Sequence, residues 1–416
     1  MISLAKLQAT LQTNLQGNLQ GNSQTPAQRD RQQTLLPIAP YRITLIHPSA
    51  GINLSGGAEI MAIEMTRQLG HFFEVELLSG GGCDVKERRI LSIDRSKAYR
   101  FVRSSPIGRF LQRWMKHPEI VIEHFSSALP CLWHLLRHPP DVIYPHNDYG
   151  GLAVAKVAQW LTGAHIIYTE HNGMIAGGKC LKRNLLFKPD RLIVFDQRTA
   201  DFAKQVRPEQ QVDVITNGVD LNRFNPSGDR IDFKLPGSVI LCVASLNRGN
   251  HKRVELTLEA VSRLPDASLL LCGDGPDRGY YQELGKTMLG ADRFRISTFT
   301  HDEMPMVYRS ADLFTLASID EPFALSYLEA LASGLPIVTT DDDIRQYIVG
   351  EGGKICDVMD PDGYAQALES VLSDPNWRIL ARQSAQRFSW SIIAQSYRDM
   401  ILETLGEPDR SSLNRH

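Results

Sequence analysis

Short apolar runs that resemble β-strands alternate with helical patterns along most of this chain. In the first half the runs lie at residues 42–48, 73–78, 142–144, 166–168 and 192–195. A strand, a turn and a helix repeated in this order build a parallel sheet covered by helices. The second half repeats the pattern at residues 239–244, 267–271, 295–299 and 337–340. The sequence therefore predicts an α/β protein with two doubly wound domains.

The length and charge of the chain set the outer limits of this fold. Its 416 residues exceed one ordinary domain and suit two of typical size. With 43% hydrophobic and 22% charged residues, the composition is typical of a soluble globular protein. Because the formal net charge is only −2, the chain has no global attraction for nucleic acid, and no nucleic-acid partner is predicted.

Cysteine spacing and hydropathy indicate a reducing compartment. The six cysteines are scattered without C-x-x-C pairs, as expected of reduced thiols in a cytosolic protein rather than a zinc site or disulfide framework. No apolar run approaches the ~20 residues that span a bilayer, and the N-terminus lacks the apolar core of a signal peptide. A cytoplasmic location is predicted, with a disordered tail over the Gln- and Asn-rich residues 1–40.

Two carboxylates eight positions apart flank the predicted start of a helix. Glu321 precedes Pro322, which disfavours helical geometry at Glu321 and favours a helix that opens directly afterwards. The amides of residues 323–326 would then be unpaired donors, which suit a phosphate. Glu321 in the loop can hold sugar hydroxyls, and Glu329 inside the helix can bind a ribose. The pattern predicts a sugar-nucleotide site; an amphipathic helix with two solvated glutamates is the alternative.

Ligand-binding candidates in the first half follow predicted strands. Gly56 and Gly57 come after the first strand and let the backbone approach a ligand, unless they form a plain strand-to-helix turn. Residues 144–148 and 169–173 follow two later strands, at the carboxyl edge where such sheets bind ligands. We therefore expect His146 and His171 to point into one crevice.

A basic turn follows the first strand of the second half. Arg248, Lys252 and Arg253 lie between that strand and the next helix. A departing diphosphate requires positive charge near the leaving group, so these side chains predict a diphosphate site. A solvated basic loop is the alternative.

Two further patterns exclude other chemistries. The glycine pattern after the strand at 267–271 does not fit G-x-G-x-x-G. The spacing from Gly275 to Gly279 is one residue too long, and Pro276 interrupts the pattern, which argues against a nicotinamide dehydrogenase. Residues 341–343 form a D-x-D triplet, but they follow a strand and precede a helix, where aspartates act as N-caps. No metal is predicted.

The segment from Glu321 to Glu329 resembles the E-x-F-G-L-x-x-L-E element of the retaining glycosyltransferases of group 1, with Ala324 in place of the usual glycine. Other segments are similar to the same family: Gly-Gly-Ala-Glu at 56–59, N-G-V-D at 217–220 and G-D-G-P at 273–276. The family also has a G-R-L segment that is followed by a lysine. Lys252 matches that lysine, whereas Ser245 stands where the family has the arginine. The resemblance covers about residues 41–405.

This resemblance implies a GT-B architecture, in which two Rossmann-like domains face across a cleft. It implies a retaining transferase, without metal or cofactor, that moves a hexose-type sugar from a nucleotide-diphosphate sugar to an acceptor hydroxyl in glycan, glycolipid or glycoconjugate synthesis. The implied catalytic residues are Glu321, His171 and Lys252. The implied donor-binding residues are Gly57, Arg248, Arg253, Thr298, Phe299, Phe323, Ala324, Leu325 and Glu329.

The same resemblance implies the domain boundaries. The acceptor-side domain would span residues 41–222, and the donor domain residues 223–388. A helix at 389–408 would return to the first domain, and 409–416 would form a closing tail.

The partners follow from the resemblance and from two basic segments. The donor would be a UDP-, GDP- or ADP-sugar. A basic cluster of Lys179, Lys182, Arg183 and Lys188 favours a phosphate-bearing acceptor, and sugar or lipid-linked acceptors suit the family. Residues 109–116 mix basic and large apolar side chains in a predicted helix. We interpret this helix as an ordinary amphipathic helix that covers the sheet, with peripheral membrane contact as the alternative.

Two rival functions use similar residues. A GT-B epimerase or phosphorylase would share the domains and the sugar-nucleotide site. A non-catalytic sugar-nucleotide-binding protein would explain Ser245 and Ala324, the two departures from the family pattern. Turnover of a sugar nucleotide, with and without acceptor or phosphate, separates these classes.

Overall fold

The computed structural model describes residues 39–52, 56–93, 95–115 and 118–407. The predicted tails at 1–40 and 409–416 lie almost wholly outside the described residues, apart from 39–40. The described residues from Pro40 to Glu407 form one compact unit.

The first half of the described chain builds a seven-stranded sheet in the order β3-β2-β1-β4-β5-β6-β7. Its strands are β1 (Ala39–His47), β2 (Phe73–Ser79), β3 (Glu87–Arg89), β4 (Val142–Pro145), β5 (His165–Thr169), β6 (Arg191–Val194) and β7 (Val212–Val214). β1 pairs in parallel with β4, with Ile43 opposite Val142. The order reverses between these two strands, which opens a crevice at their carboxyl ends.

Helices connect these strands and cover the sheet. They are α1 (Gly57–Leu69), α2 (Arg95–Ser104), α3 (Pro106–Trp114), α4 (Pro118–Arg137), α5 (Asp148–Thr162), α6 (Lys179–Asn184) and α7 (Gln197–Val206). The helix predicted after the first strand corresponds to α1, which begins at Gly57 with Gly56 as its N-cap.

The second half builds a six-stranded sheet in the order β10-β9-β8-β11-β12-β13. Its strands within the described residues are β8 (Ser238–Val243), β9 (Ala267–Cys272), β10 (Phe294–Ser297), β11 (Leu313–Leu316), β12 (Ile337–Thr340) and β13 (Gly353–Cys356). Its helices are α8 (Val254–Ser262), α9 (Arg278–Leu289), α10 (Met304–Arg309), α11 (Leu325–Ala332), α12 (Asp343–Val349), α13 (Pro361–Leu372) and α14 (Trp377–Ala385). Here the order reverses between β8 and β11.

The central strands are buried on both faces. Every residue of β4 and of β9 is buried, as expected of parallel strands covered by helices on both sides. This burial explains why they appear in the sequence as continuous apolar runs rather than as alternating ones. The prediction of two parallel, Rossmann-like α/β domains is confirmed.

The last described helix, α15 (Trp390–Thr404), packs against α1 of the first half. The amide of Val219 donates to the Phe388 carbonyl at 2.8 Å, and the amide of Trp390 donates to the Val219 carbonyl at 3.2 Å. These bonds join the start of α15 to the connection between the two sheets. The residue limits of the two domains stay a prediction.

One interpretation of a surface helix is wrong. Residues 109–115 belong to α3 and its C-cap, but α3 packs against α2 and α4, and Ile107, Phe110 and Trp114 are exposed rather than turned inward. Lys116, the last residue of that pattern, lies outside the described residues. The helix therefore does not cover the sheet with these apolar side chains. In the part of the chain that the structure describes, no helix is both long and apolar enough to cross a bilayer.

Candidate active site

Glu321 lies in the loop between β11 and α11, at the carboxyl edge of the second sheet. Its Oε2 accepts a hydrogen bond from His251 Nε2 at 3.1 Å and forms an ion pair with Lys252. Burial by itself would raise the pKa of Glu321, but the His251 hydrogen bond and the Lys252 charge outweigh it and lower that pKa to about 2. The carboxylate is therefore ionised at neutral pH.

A buried arginine fixes the backbone that carries Glu321. Arg345, on α12, is only 1% exposed, and its guanidinium donates to the Glu321 carbonyl at 2.8 Å. Asp342 caps the same helix by accepting a hydrogen bond from the Arg345 amide at 2.9 Å, which confirms that the aspartate triplet supplies an N-cap. No group of three or more metal-binding side chains occurs among the described residues.

The three predicted cations do not meet at one point. Lys252 reaches Glu321, whereas Arg248 lies over the Tyr280 ring at 4.0 Å. Arg253 Nε donates to the Ala317 carbonyl at 2.7 Å, so its guanidinium supports the loop. The predicted role of Arg248 and Arg253 in diphosphate binding stays a prediction.

Glu329 is buried on α11, and both of its oxygens are engaged. Oε1 accepts from His301 Nε2 at 3.0 Å, and Oε2 accepts from the Tyr308 hydroxyl at 2.8 Å. A carboxylate has about four acceptor sites, so capacity remains for ligand hydroxyls. Sequence reasoning missed His301 and Tyr308, as it missed His251. The position of His301 shortly after β10 was the available signal.

Glu329 forms part of a small cleft between the two halves of the chain. The cleft is lined by Ile60, Met61 and Glu64 of α1, by Asp220 and Arg223 of the connection, and by His301, Leu325 and Glu329, together with Gly218, Val219, Phe224 and Trp390. Gly57 begins α1 and is exposed, and a Cβ at this position would meet no atom within 4 Å. Its contact with the donor stays a prediction.

The predicted nucleobase contacts lie at the end of β10, outside the lining of this cleft. The Thr298 hydroxyl accepts from Arg278 at 2.9 Å, and the Phe299 ring packs edge-on against Phe233 at 6.0 Å. The strand ends at Ser297, two residues earlier than the apolar pattern indicates. Contacts of Thr298 and Phe299 with a base stay a prediction.

The helix after Glu321 begins later than the sequence predicts. Ala324 is the N-cap of α11, and the Tyr327 amide bonds back to the Ala324 carbonyl at 3.2 Å. The first-turn donors without an intrahelical acceptor are therefore those of Ala324, Leu325 and Ser326. Phe323 precedes this turn, is 5% exposed, and offers its carbonyl to Asn217 at 3.1 Å.

Two neutral histidines lie at the carboxyl edge of the first sheet. His171 follows β5, and its Nε2 is 3.2 Å from His146 Nδ1, so the predicted convergence of these two side chains is observed. Burial, with a smaller contribution from His47, lowers the pKa of His171 to about 3. Burial also holds the pKa of His146 well below its usual range.

The loops that carry Glu321 and His171 touch each other. The Phe195 ring lies 5.9 Å from His171 and 5.7 Å from Phe323. Gly173 has a φ of +49°, and a Cβ there would stand 3.0 Å from Pro322. The carboxyl edges of the two sheets thus meet at these loops.

Three of the four residues of the predicted basic cluster lie on α6, and the fourth lies after it. Arg183 is paired with Asp148 and lies over the Tyr149 ring at 4.2 Å. Lys182 lies over the Phe202 ring at 5.2 Å. Lys188 precedes β6, so it sits at the opposite edge of the sheet. Lys188 therefore lies apart from Lys179, Lys182 and Arg183, which share α6. The role of these three side chains in binding a phosphate-bearing acceptor stays a prediction.

The buried His146 predicts acid sensitivity. Because its pKa is lowered on folding, its contribution to stability is complete above pH 6.5 and is lost as pH falls below that value, by up to about 1.4 kcal/mol per pH unit. We expect His146→Asn to reduce the fall in unfolding free energy between pH 6.5 and 5, measured by urea denaturation. The exposed His71→Asn is the control; equal slopes for the parent and His146→Asn would contradict the prediction.

Comparisons with known proteins cover both sheets. The family described as "Glycosyl transferases group 1" matches residues 237–374, and "Glycosyltransferase Family 4" matches residues 55–223. A D-inositol 3-phosphate glycosyltransferase of Corynebacterium urealyticum is 28% identical over 62% of this chain and 69% of its own length. The sulfoquinovosyl transferase SQD2 of Arabidopsis thaliana is 26% identical over 62% of this chain and 55% of its own length. The lipopolysaccharide core biosynthesis glycosyltransferase LpsE of Rhizobium meliloti is 27% identical over 47% of this chain and 56% of its own length. The chain thus spans less than two thirds of the length of the last two relatives.

Solved structures share the two-sheet fold. A sucrose-phosphate synthase from Thermosynechococcus elongatus superimposes with a TM-score of 0.71 at 19% identity, over 88% of this chain and 99% of that one. Anabaena Alr3699/HepE in complex with UDP-glucose gives a TM-score of 0.65 at 17% identity, over 87% of this chain and 100% of that one. At these identities the likeness shows the fold alone.

Proposed function

Because this chain belongs to the group 1 glycosyltransferases, we propose that it moves a hexose-type sugar from a nucleoside-diphosphate sugar to an acceptor hydroxyl, with retention and without a metal. The observation that carries this proposal is the ionised Glu321, paired with Lys252 and His251 beside the N-terminus of α11. The carboxylate suits the hydroxyls of a sugar. The cation and the helix N-terminus suit the diphosphate and the negative charge that develops on it as it leaves.

The low pKa of Glu321 supports a role in binding rather than in proton transfer. A carboxylate with a pKa of about 2 is a weak base at neutral pH and cannot act as a general acid there. Glu321 would instead accept hydrogen bonds from hydroxyls of the transferred sugar. As the bond from the anomeric carbon to the diphosphate breaks, the acceptor oxygen forms the new bond, and its proton passes to the departing phosphate oxygen.

The donor diphosphate would be held by Lys252 and by the first amides of α11. The negative charge on the leaving group grows as the bond breaks, and both groups stabilise it. His171 would contact the transferred sugar from the other sheet. Because its pKa is lowered to about 3, His171 would be neutral and would still form hydrogen bonds. A positively charged imidazole would instead repel a developing oxocarbenium ion.

UDP-hexoses are the first donors to test, since Alr3699/HepE is described in complex with UDP-glucose. For the acceptor, the relatives include an inositol 3-phosphate glycosyltransferase and a lipopolysaccharide core enzyme, which supports a phosphate-bearing or lipid-linked alcohol. The proposal includes a cytoplasmic location with peripheral membrane contact, supported by the exposed Phe110 and Trp114 of α3.

The decisive experiment has two stages. Heat denaturation of the full chain with UDP-, GDP- and ADP-hexoses and their free nucleotides identifies the donor, since a ligand selective for the folded state raises the midpoint. Nuclear magnetic resonance then follows the anomeric configuration of the product formed with inositol phosphates or lipid-linked acceptors. We expect turnover that requires an acceptor and retains the configuration.

The same experiment separates the rival functions. Turnover of the donor without an acceptor, giving an epimer, would indicate an epimerase. Dependence on free phosphate would indicate a phosphorylase. Nucleotide binding without any turnover would favour the non-catalytic protein, and an inverted product would contradict retention.

A further inference from the structure

Large apolar side chains face outward from three consecutive helices of the first half. They are Phe110 and Trp114 of α3, Phe125, Leu129 and Trp133 of α4, and Trp160 of α5, with exposed fractions of 58, 77, 77, 76, 62 and 83%. We call these six residues the apolar face. Because α3 packs against α4 and α4 against α5, their outward sides lie on one surface. An exposed apolar surface of this extent marks an interaction site.

The pattern on α4 shows that its outer side is adapted to a second apolar environment. Phe125, Leu129 and Trp133 recur every four residues and form one exposed stripe. On the inner side, Cys131 and Leu135 are 1 and 0% exposed. A helix that is apolar on both sides is normally covered on both. The core of the first sheet covers the Cys131 and Leu135 side of α4, whereas the Phe125, Leu129 and Trp133 side is open to a binding partner.

Positive charge is concentrated on α2 and α3, which both pack against α4. Residues 95–116 contain seven arginines and lysines and neither aspartate nor glutamate. Arg100, Arg103, Arg109 and Arg113 are exposed, and the Arg137 guanidinium lies over the Trp133 ring at 4.4 Å. Basic residues beside tryptophan and phenylalanine are typical of helices that lie in the headgroup region of a bilayer. The charge is complementary to anionic lipid.

We infer that the apolar face docks this protein on an anionic lipid bilayer, with α4 in the plane of the interface. A second copy of the chain is a weaker occupant, because two copies would bring the same basic residues together. This inference deepens the proposed function, and what it implies for the acceptor rests on that function. The membrane contact now involves a surface of α3, α4 and α5 rather than α3 alone.

The direction of α4 relates this surface to the candidate site. Glu123, two residues before Phe125, accepts a hydrogen bond from Ser49, which follows β1 at the carboxyl edge of the first sheet. The Phe125 end of the apolar face therefore adjoins the acceptor side. A bilayer that covers this face would present a lipid-linked alcohol beside the cleft, whereas a soluble acceptor would gain nothing from docking.

Sedimentation of the full chain with vesicles tests the inference. We expect binding to vesicles in which about a third of the lipid is anionic phosphatidylglycerol, and much weaker binding to phosphatidylcholine alone. The variant Phe125→Ser/Leu129→Ser/Trp133→Ser should lose about tenfold in partitioning for each side chain removed. The matched control Met359→Ser/Ile379→Ser/Ile392→Ser removes apolar residues of 62, 60 and 51% exposure outside this face and should bind as the parent does.

Charge variants test the lipid class separately. Arg100→Gln/Arg103→Gln should weaken binding to the anionic vesicles by about fivefold per arginine. Binding to phosphatidylcholine alone should be unchanged by this pair. Equal binding of the parent to both vesicle types would overturn the choice of anionic lipid.

Three other results would overturn the docking surface. The first is absence of binding to either vesicle type, and the second is full binding by the triple serine variant. The third is a dimer of the parent, measured by light scattering, that the triple serine variant converts to a monomer. Donor-induced thermal stabilisation of the same variants in solution provides the fold control. This control requires no lipid, so it reports folding separately from docking. Vesicle binding by a protein that does not transfer sugar would contradict the proposed function and leave the docking surface supported.

Discussion

Glu321→Gln should lower kcat for sugar transfer by about a hundredfold to a thousandfold, the range found when one preorganised polar group is removed from an active site. Glutamine retains the size of the side chain but loses the charge that His251 and Lys252 maintain. It can also no longer accept hydrogen bonds through both of its terminal heteroatoms. The stabilisation of the transferred sugar should therefore fall while the fold persists.

Initial rates with a saturating sugar nucleotide measure this effect. Glu303→Gln is the matched control, because Glu303 is half-buried and its carboxylate accepts a solvent-exposed hydrogen bond from the Thr300 amide at 2.7 Å. The control should keep the parent rate. If a folded Glu321→Gln variant turns over donor as fast as the parent, the assignment of Glu321 is wrong.

Lys252→Ala should show the coupling between the two charges. Because Lys252 and Glu321 form an ion pair, the losses in the double variant should not add. A double variant whose free-energy loss equals the sum of the two single losses would indicate that the residues act independently.

The second large effect is expected at Glu329. Replacement by alanine should raise KM for the donor by about a hundredfold, because two charge-assisted hydrogen bonds to ribose hydroxyls are lost. The preference for the ribonucleotide donor over its 2′-deoxy and 3′-deoxy forms should disappear in the same variant. A site that loses its partner for a hydroxyl no longer rejects a ligand that lacks the hydroxyl.

Tyr308→Phe tests whether the partners of Glu329 orient it. Loss of the 2.8 Å hydrogen bond should reduce the ribose preference by about tenfold and leave kcat nearly unchanged. Tyr41→Phe is the matched control, since it removes a tyrosine–glutamate bond of the same 2.8 Å length near Glu407. An unchanged ribose preference in Glu329→Ala would show that the ribose binds elsewhere.

Much of the architecture was predictable because parallel strands are buried on both faces. The strand predicted at 337–340 matches β12 to the residue, and the run at 239–244 lies within one residue of β8. The position of His171 after β5 followed from the same pattern. The start of α11 was less predictable, because Pro322 marks a helix boundary without specifying which later residue becomes the N-cap.

The partners of the carboxylates were not predictable. His301 and Tyr308 reach Glu329 across 28 and 21 positions of sequence, and Lys252 reaches Glu321 across 69. No local pattern reports a hydrogen bond of this range. The outward orientation of the α3 side chains was missed for the same reason, since periodicity identifies an apolar stripe but not what the stripe faces.

The sequence by itself determined the alternation of strands and helices, the two parallel sheets and the loops at their carboxyl edges, because these depend on local apolar patterns. Only the tertiary structure decided which side chains meet at those edges. Packing directed Lys252 to Glu321, turned Arg253 toward the Ala317 carbonyl, paired Arg183 with Asp148, and left the outer side of α4 exposed. These outcomes depend on contacts between distant segments, which are specified when the whole chain is packed.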